Sequence, residues 1–172
     1  LLPEVVRAVE KVKKVPVLAA GGIVTGRQMA AAMAMGAAGV WTGSVWLTTT
    51  ESDVTEPVRQ RLLAARSRDT IRSKAMTGKK ARQLVSGWNE AWESKDSPGM
   101  LPMPFQHLLT NRAFQQIEKS VEGGNEKARG LVTEGAGQGI GMIDSVKSAR
   151  QVVQEFREDF AAALHKPRYF VR

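Results

Sequence analysis

Two short apolar segments, each ending in a glycine turn, constrain the fold of this chain more than any other feature. Residues 16–20 form the first segment, and Gly21-Gly22 ends it; residues 39–42 form the second, and Gly43-Ser44 ends it. Continuous rather than alternating apolarity is typical of strands that are buried on both faces, as in parallel sheets. The pattern therefore predicts two parallel strands that follow one another along the chain.

A helix is predicted between these strands. Thr25 followed by Gln28 fits a capping box, the alanine- and methionine-rich stretch to Met35 favours a helix, and Gly36 is suited to end it in a left-handed conformation. Strand, helix, strand and turn within about 45 residues predict parallel βα units, and so an α/β fold.

The rest of the chain is predicted to be helical, with no convincing strand after Ser44. The predicted helices cover residues 2–14, 54–67, 83–93, 105–122 and 144–165, and residues 77–82 and 95–104 are expected to be connections. The first helix is expected to bury Val5, Val9 and Val12. The last is expected to bury a stripe of Val146, Ala149, Val153, Phe156 and Phe160. Trp88 and Trp92 are predicted to lie one turn apart on a helix.

The two glycine turns are the candidate binding site. They follow consecutive parallel strands, at the end of a sheet that commonly holds phosphate. Glycine lets a backbone approach a phosphate closely, the helix after the turn is expected to add unpaired N–H groups, and the hydroxyl of Ser44 can donate one more hydrogen bond. A single Gly-Gly pair is more often an ordinary turn, but two such sites in strand context favour phosphate binding.

These residues resemble a known family. Residues 15–23, Gly26-Arg27, residues 34–40 and Gly43-Ser44 are similar to the nitronate monooxygenase (2-nitropropane dioxygenase) family, whose members are FMN-dependent (β/α)8 barrels, and to the related flavin-dependent enoyl reductases. Weaker similarity continues at residues 47–52, at residues 77–79 and at residues 136–143. The chain departs from the family pattern at Trp41, Ser44 and Val45. Trp41 and Trp46 are expected either to pack in the core or to reshape the substrate pocket.

The resemblance implies an α/β fold in which residues 1–50 are the last two βα units of an FMN-binding TIM (β/α)8 barrel. Residues 51–172 would be a helical C-terminal region that packs on it. It implies that the FMN phosphate is held by Gly21, Gly22, Gly43 and Ser44, with Ala20 beside them. Gln138 and Gly139 are expected either to approach the flavin or simply to begin a glycine-rich helix.

The implied activity is that of an FMN-dependent oxidoreductase that oxidises an alkyl nitronate with oxygen. An acyl-CoA dehydrogenase or enoyl reductase of the same superfamily, a non-flavin barrel of the inosine-monophosphate dehydrogenase type, and a non-catalytic remnant stay open as alternatives. A (β/α)8 barrel needs roughly 250 residues, so further strands and the catalytic base are expected upstream of residue 1. The fragment alone is expected neither to fold cooperatively nor to bind FMN tightly.

Composition narrows the function classes. The 172 residues contain no cysteine and two histidines, which excludes disulfides, thiolate metal sites and histidine-rich metal sites. His107 is expected at a helix start and His165 near a helix C-terminus, and no catalytic residue is assigned.

The net charge of +8 comes from dispersed basic groups. They are interpreted mainly as solvated faces and otherwise as contacts for a phosphate-rich ligand. The expected partner is a small-molecule substrate, a nitronate or an acyl thioester, with neither nucleic acid nor membrane. A cytoplasmic location is expected, because no secretory signal or long apolar run is visible.

Overall fold

The computed structural model describes residues 1–165, which fall into two compact units. One unit contains residues 1–52 and the described residues from Ser145 onward, and the other contains Asp53–Asp144. The sequence analysis had instead grouped residues 51–172 as one helical region. The division differs because the last helix packs on the first fifty residues.

The elements, in chain order, are eight α-helices and four strands within the described residues. They are α1 (Leu2–Glu10), β1 (Leu18–Ala20), α2 (Gly26–Ala34), β2 (Gly39–Trp41), α3 (Ser44–Leu47), α4 (Glu56–Ala64), β3 (Thr70–Ser73), β4 (Ala81–Leu84), α5 (Gly87–Glu93), α6 (Phe105–Glu122), α7 (Glu126–Arg129) and α8 (Ala149–His165). Two 3₁₀ helices cover Ser67–Asp69 and Gln138–Met142.

The first unit is built on the predicted βαβ arrangement. Strands β1 and β2 pair in parallel, with Leu18 opposite Gly39 and Ala20 opposite Trp41. Its core consists of small side chains, Ala19, Ala32 and Ala37, against which Leu2, Ile23 and Val40 pack. The capping box of Thr25 and Gln28 is present, and Gly36 follows α2 at a φ of 101°, as predicted.

Burial of these two strands is lower than the sequence suggested. Of β1, only Ala19 is buried, whereas Leu18 is 48% exposed and Ala20 is also exposed. Trp41 in β2 is 72% exposed, so it is not a core residue. The physical reason is that the sheet has two strands in the described chain, and the face of β1 that carries Leu18 and Ala20 is not covered.

Helix α1 is shorter than predicted, and the face that it buries differs from the predicted one. It ends at Glu10, and Val12, which was expected to be buried, is 88% exposed. Leu2, Val6 and Val9 are partly buried, whereas Val5 is exposed. The true face contains Val6, whose side chain lies 3.3 Å from where a Cβ on Gly36 would be.

Helix α8 packs against α2, and the two backbones come very close at Gly26. A Cβ on Gly26 would collide with the Phe156 carbonyl oxygen and would lie 2.6 Å from the Phe160 nitrogen, so only glycine lets the two backbones approach this closely. Beside it, the backbone N–H of Arg27 donates to the Asp159 carboxylate at 2.7 Å, and the Arg27 guanidinium donates to the same group at 3.2 Å.

The buried stripe of α8 matches the prediction only in part. Val152 is the buried side chain, Phe156 and Phe160 are partly buried as expected, and Val153 is 49% exposed. Val146 precedes the helix and is 42% exposed. The helix begins at Ala149 rather than Asp144, so the predicted spacing started from a residue outside it.

The second unit contains an antiparallel hairpin that the sequence analysis missed. Strands β3 and β4 pair with Thr70 opposite Leu84 and Ser73 opposite Ala81. The prediction of no strand after Ser44, and of a helix from residue 83, was therefore wrong. The inner face of the hairpin is polar: the Gln83 amide donates to the Ser73 carbonyl oxygen at 3.1 Å, and the Ser73 hydroxyl donates to Glu93 at 2.6 Å.

Helix α6 has the bounds that its sequence predicted, Phe105–Glu122. Trp88 on α5 lies 5.9 Å from Trp92, which confirms the predicted one-turn spacing, and 4.4 Å from Phe114 between ring centroids. Its indole N–H donates to the Ala75 carbonyl oxygen at 3.1 Å. Within the described residues, no helix combines the length and apolar character needed to cross a membrane.

Arg61 connects three segments of the second unit. Its guanidinium donates to the carbonyl oxygens of Arg129 at 2.9 Å, Val132 at 2.6 Å and Val85 at 2.8 Å. Burial lowers the pKa of Arg61 from its ordinary value. A planar guanidinium can serve three acceptors at once, so this side chain ties α4 to the segments after β4 and α7.

We expect Gly26→Ala to destabilise the protein although alanine favours helices. The new methyl group would force α8 away from α2, and overpacking of this kind costs about 1–3 kcal/mol, which outweighs the gain of up to about 1 kcal/mol in helix propensity. Thermal and urea unfolding measure the change. Gly130→Ala is the control, because a Cβ there has its nearest neighbour at 3.8 Å; a Gly26→Ala protein as stable as this control would contradict the close approach.

We expect Arg61→Lys to lower the free energy of unfolding by about 1–3 kcal/mol, since an ammonium cannot satisfy all three carbonyl oxygens, one of which belongs to the buried Val132. Arg129→Lys is the matched control on the same unit. Its side chain is half exposed and its guanidinium forms an exposed ion pair with Glu126, so its replacement should change stability by less than about 0.5 kcal/mol. If urea unfolding showed the same loss of stability for both substitutions, the proposed role of Arg61 in connecting the three segments would be refuted.

Candidate functional site

The parallel register places the two glycine turns next to each other. Ala20 and Trp41 are paired residues at the ends of β1 and β2, so Gly21-Gly22 and Thr42-Gly43 leave the same edge of the sheet. Neighbouring strands are about 4.8 Å apart. The backbones of both turns can therefore reach one small ligand group.

Both turns have backbone conformations and free space that suit a close ligand. Gly21 and Gly22 have φ values of 103° and 70°, which side chains rarely adopt. A Cβ added at Gly21 or at Gly43 would meet nothing within 4 Å. Glycine at these two positions is thus not required by packing inside the described chain, and the space above them is open to a ligand.

The N-terminus of α2 is already occupied by groups of the protein. The Gln28 backbone N–H donates to the Thr25 hydroxyl at 3.2 Å, and the Arg27 N–H donates to Asp159. In return, the Gln28 side-chain oxygen accepts from the N–H groups of Val24 and Thr25. The expectation that this helix start offers unpaired donors is therefore wrong for residues 27 and 28, and the turns themselves must supply the donors for an anion.

Hydrogen bonds within the chain also hold each turn in shape. The Gln28 amide donates to the Gly22 carbonyl oxygen at 3.0 Å. On the other turn, Ser44 begins α3 with Gly43 as its N-cap. The indole N–H of Trp46 donates to the hydroxyl of Thr42 at 2.9 Å. Trp46 is partly buried, so it supports the second turn.

A carboxylate lies near the end of this region. Glu51 accepts from the backbone N–H of Ala149 at 2.8 Å, at the start of α8. This hydrogen bond, with a second from the Thr50 hydroxyl, lowers the pKa of Glu51. An ionised Glu51 fits its position at the positive end of a helix.

Gln138 and Gly139 belong to the second unit, where they begin the short 3₁₀ helix Gln138–Met142. Gln138 is exposed and Gly139 is buried. They do form the start of a helix, which was one of the two expectations for them, and their approach to a flavin stays a prediction. Nearby, burial raises the pKa of Glu134, and the charge of Glu118 adds to the effect.

Both histidines lie at the helix positions that the sequence predicted. His107 lies in the first turn of α6 and His165 is the last residue of α8, and both are exposed. Sequence reasoning missed Asp159, which is separated from Arg27 by 132 positions. No local pattern could have revealed a contact at that distance.

An apolar cavity of about 310 Å³ lies in the first unit, next to the second glycine turn through Thr42 and Trp46. Its walls are side chains of α2, β2, α3 and α8: Met29, Val40, Thr42, Trp46, Val153, Phe156, Arg157 and Phe160. Gly21, Gly22 and Gly43 are not part of this lining. The turns form an open edge rather than an enclosed cavity.

Several known proteins are similar to this chain in sequence and fold. A Mycobacterium tuberculosis protein named as a monooxygenase is 49% identical over 160 residues, which are 93% of this chain and 42% of that protein. The structure of nitroalkane oxidase from Streptomyces ansochromogenes matches 95% of this chain and 44% of its own, with a TM-score of 0.73 and 29% identity. That of FabK from Thermotoga maritima matches 99% of this chain and 51% of its own, with a TM-score of 0.70 and 27% identity.

The chain therefore spans about two fifths to one half of the proteins that it matches. Its mixed α/β structure agrees with the α/β class expected from the sequence. The family model for nitronate monooxygenase matches residues 1–159, nearly the whole of the chain. This chain belongs to the nitronate monooxygenase family.

Proposed function

We propose that the chain contributes the phosphate-binding part of an FMN-dependent oxidoreductase, and that β1 and β2 are the last two strands of a (β/α)8 barrel. One observation carries the proposal: two glycine turns follow paired parallel strands, with open space above Gly21 and Gly43. Phosphate sites of such barrels commonly lie after the last two strands.

In this proposal, backbone N–H groups of Gly21, Gly22 and Gly43 donate to the FMN phosphate, and the hydroxyl of Ser44 adds a fourth donor. Ala20 lies at the strand end beside them, where its small side chain leaves room for the ligand. An approach of Gln138 and Gly139 to the flavin stays a prediction from the family resemblance. The donor set fits a dianion, because each group presents a hydrogen and none adds negative charge.

We propose nitronate oxidation as the reaction of the whole protein. FMN, when bound, supplies the transfer of electrons from the substrate carbon to oxygen. The residues of this chain hold and orient the phosphate end, while the base that takes the substrate proton is expected upstream of residue 1. Family membership supports this activity, as does the likeness to nitroalkane oxidase.

Reduction of an enoyl thioester is the second candidate. The likeness to FabK, with a TM-score of 0.70 over 99% of the chain, favours it. The phosphate site would be the same in both enzymes, so the glycine turns do not distinguish between the two reactions. Substrate tests must make that distinction.

We expect Gly43→Ala to weaken FMN binding by about tenfold, the cost of displacing one or two hydrogen bonds to a charged group. Riboflavin, which lacks the phosphate, should bind the variant and the natural protein equally. Flavin fluorescence quenching measures both affinities, and melting of the flavin-free protein should not change, since a Cβ at Gly43 contacts nothing within 4 Å. An equal loss of riboflavin and FMN affinity would place the phosphate elsewhere.

We expect the purified protein, assayed at full length, to be yellow and to consume oxygen with an alkyl nitronate. The parallel assays are reduction of an enoyl thioester and dehydrogenation of inosine monophosphate. Oxygen uptake with nitronate but not with thioester supports the first candidate, and the reverse supports the second. A colourless protein that dehydrogenates inosine monophosphate would refute both flavin proposals.

A further inference from the structure

The β3–β4 hairpin concentrates the positive charge of the chain. Between Arg66 and Arg82 there are seven basic residues and a single acidic one, in a chain of net charge +8. The strand register sets Arg72 directly opposite Arg82. Like charges opposite one another destabilise a sheet, so this hairpin keeps an arrangement that folding alone does not favour.

Little within the described chain neutralises these charges. The Arg82 guanidinium donates to the hydroxyl of Thr70 at 3.0 Å, which is uncharged. The carboxylate of Glu93 accepts from Ser73, between the basic positions, and Asp69 accepts from the Arg66 backbone. Among residues 66–82, all of which the structure describes, six exposed basic side chains form no ion pair: Arg66, Arg68, Arg72, Lys74, Lys79 and Lys80.

Next to this hairpin lies an exposed apolar segment. It consists of the loop before α6 and the first turns of that helix. Its exposed side chains are Leu101 (45%), Met103 (61%), Phe105 (58%), Leu108 (71%) and Leu109 (58%). Contiguous exposed apolar side chains of this kind mark binding surfaces.

Buried hydrogen bonds fix the apolar segment to the hairpin loop. Gln106 is fully buried, and its amide donates to the Ala75 carbonyl oxygen at 3.2 Å. The Thr110 hydroxyl donates to the Met76 carbonyl oxygen at 2.9 Å. A Cβ on Gly78 would lie 2.5 Å from the carbonyl oxygen of Leu101, so the two backbones touch. Lys79 and Lys80 follow Gly78 at once, and positive charge therefore adjoins the apolar segment.

We propose that this basic–apolar surface binds a soluble amphiphile that joins a multiply phosphorylated head to a single alkyl chain, as long-chain acyl-coenzyme A does. The phosphates lie on the basic hairpin, and the alkyl chain covers the apolar segment. The surface belongs to one unit and is separate from the glycine turns, so the proposal is independent of the flavin proposal.

The size of the apolar segment favours a single chain over a membrane. On α6 the exposed large apolar residues are confined to Phe105, Leu108 and Leu109, which span about 6 Å of helix axis. A membrane-surface helix carries its apolar face along its length. Residues 66–82 contain no aromatic residue, so the stacking contacts that single-stranded nucleic acids use are missing there.

The test is a calorimetric titration of the purified protein with palmitoyl-coenzyme A below its micelle concentration, in parallel with coenzyme A and with palmitate. We expect the joined molecule to bind at least about tenfold more tightly than either half, because its two contacts add. Equal binding of the joined molecule and coenzyme A, or no binding, would overturn the proposal. So would binding of anionic phospholipid vesicles without binding of the monomeric amphiphile.

Two sets of variants assign the two halves. Replacing Arg72, Lys79 and Lys80 by glutamine should weaken palmitoyl-coenzyme A and coenzyme A alike, by about tenfold at low salt. Replacing Leu108 and Leu109 by glutamine should weaken only the palmitoyl compound. The control replaces three exposed lysines of the other unit, Lys11, Lys13 and Lys14; if it weakens binding as much as the hairpin variant, the attraction is unspecific and the proposal fails. Circular dichroism confirms that each variant is folded.

Discussion

The parallel pairing of β1 with β2 is the constraint on which the candidate site depends. Because Ala20 and Trp41 are opposite each other, both glycine turns leave the sheet at the same edge. The proposed phosphate site needs both turns. The pairing in turn requires small side chains. The core of this unit is Ala19, Ala32 and Ala37, which let α2 lie close to the sheet and so fix the distance between the end of β1 and the start of β2.

The second determinant is the return of α8, more than one hundred residues later. The carboxylate of Asp159 accepts a hydrogen bond from the backbone N–H of Arg27. A phosphate at this helix start would otherwise accept that hydrogen bond. An internal anion thus compensates the positive end of α2. The helix start of α2 is thus stabilised by the protein itself, and in the proposed site ligand contact would be left to the turns, where Gly21 and Gly43 face open space.

The sequence predicted what depends on local chemistry and failed where burial is set by distant segments. The capping box at Thr25, the turn at Gly36 and the bounds of α6 follow from neighbouring residues, and all are present. The hairpin was missed because three of its four buried positions, Thr70, Ser73 and Gln83, are polar and only Leu84 is apolar, so no apolar period of two exists to be seen. Val146 was wrongly included in the buried face of α8 because the start of the helix was placed five residues early, and the Asp159 contact leaves no trace in the local sequence.

The distribution of positive charge also depends on how distant segments pair. Taken along the sequence, its basic residues are dispersed, and a net charge of +8 then indicates little more than solvated faces. Folding brings two of those groups, residues 66–72 and 79–82, into one antiparallel ribbon with Arg72 opposite Arg82. A charge density that depends on strand register cannot be inferred from composition. In the proposed binding mode, an anion that bridges the strands would relieve the repulsion between Arg72 and Arg82, and the adjoining apolar segment would favour anions that carry an alkyl chain.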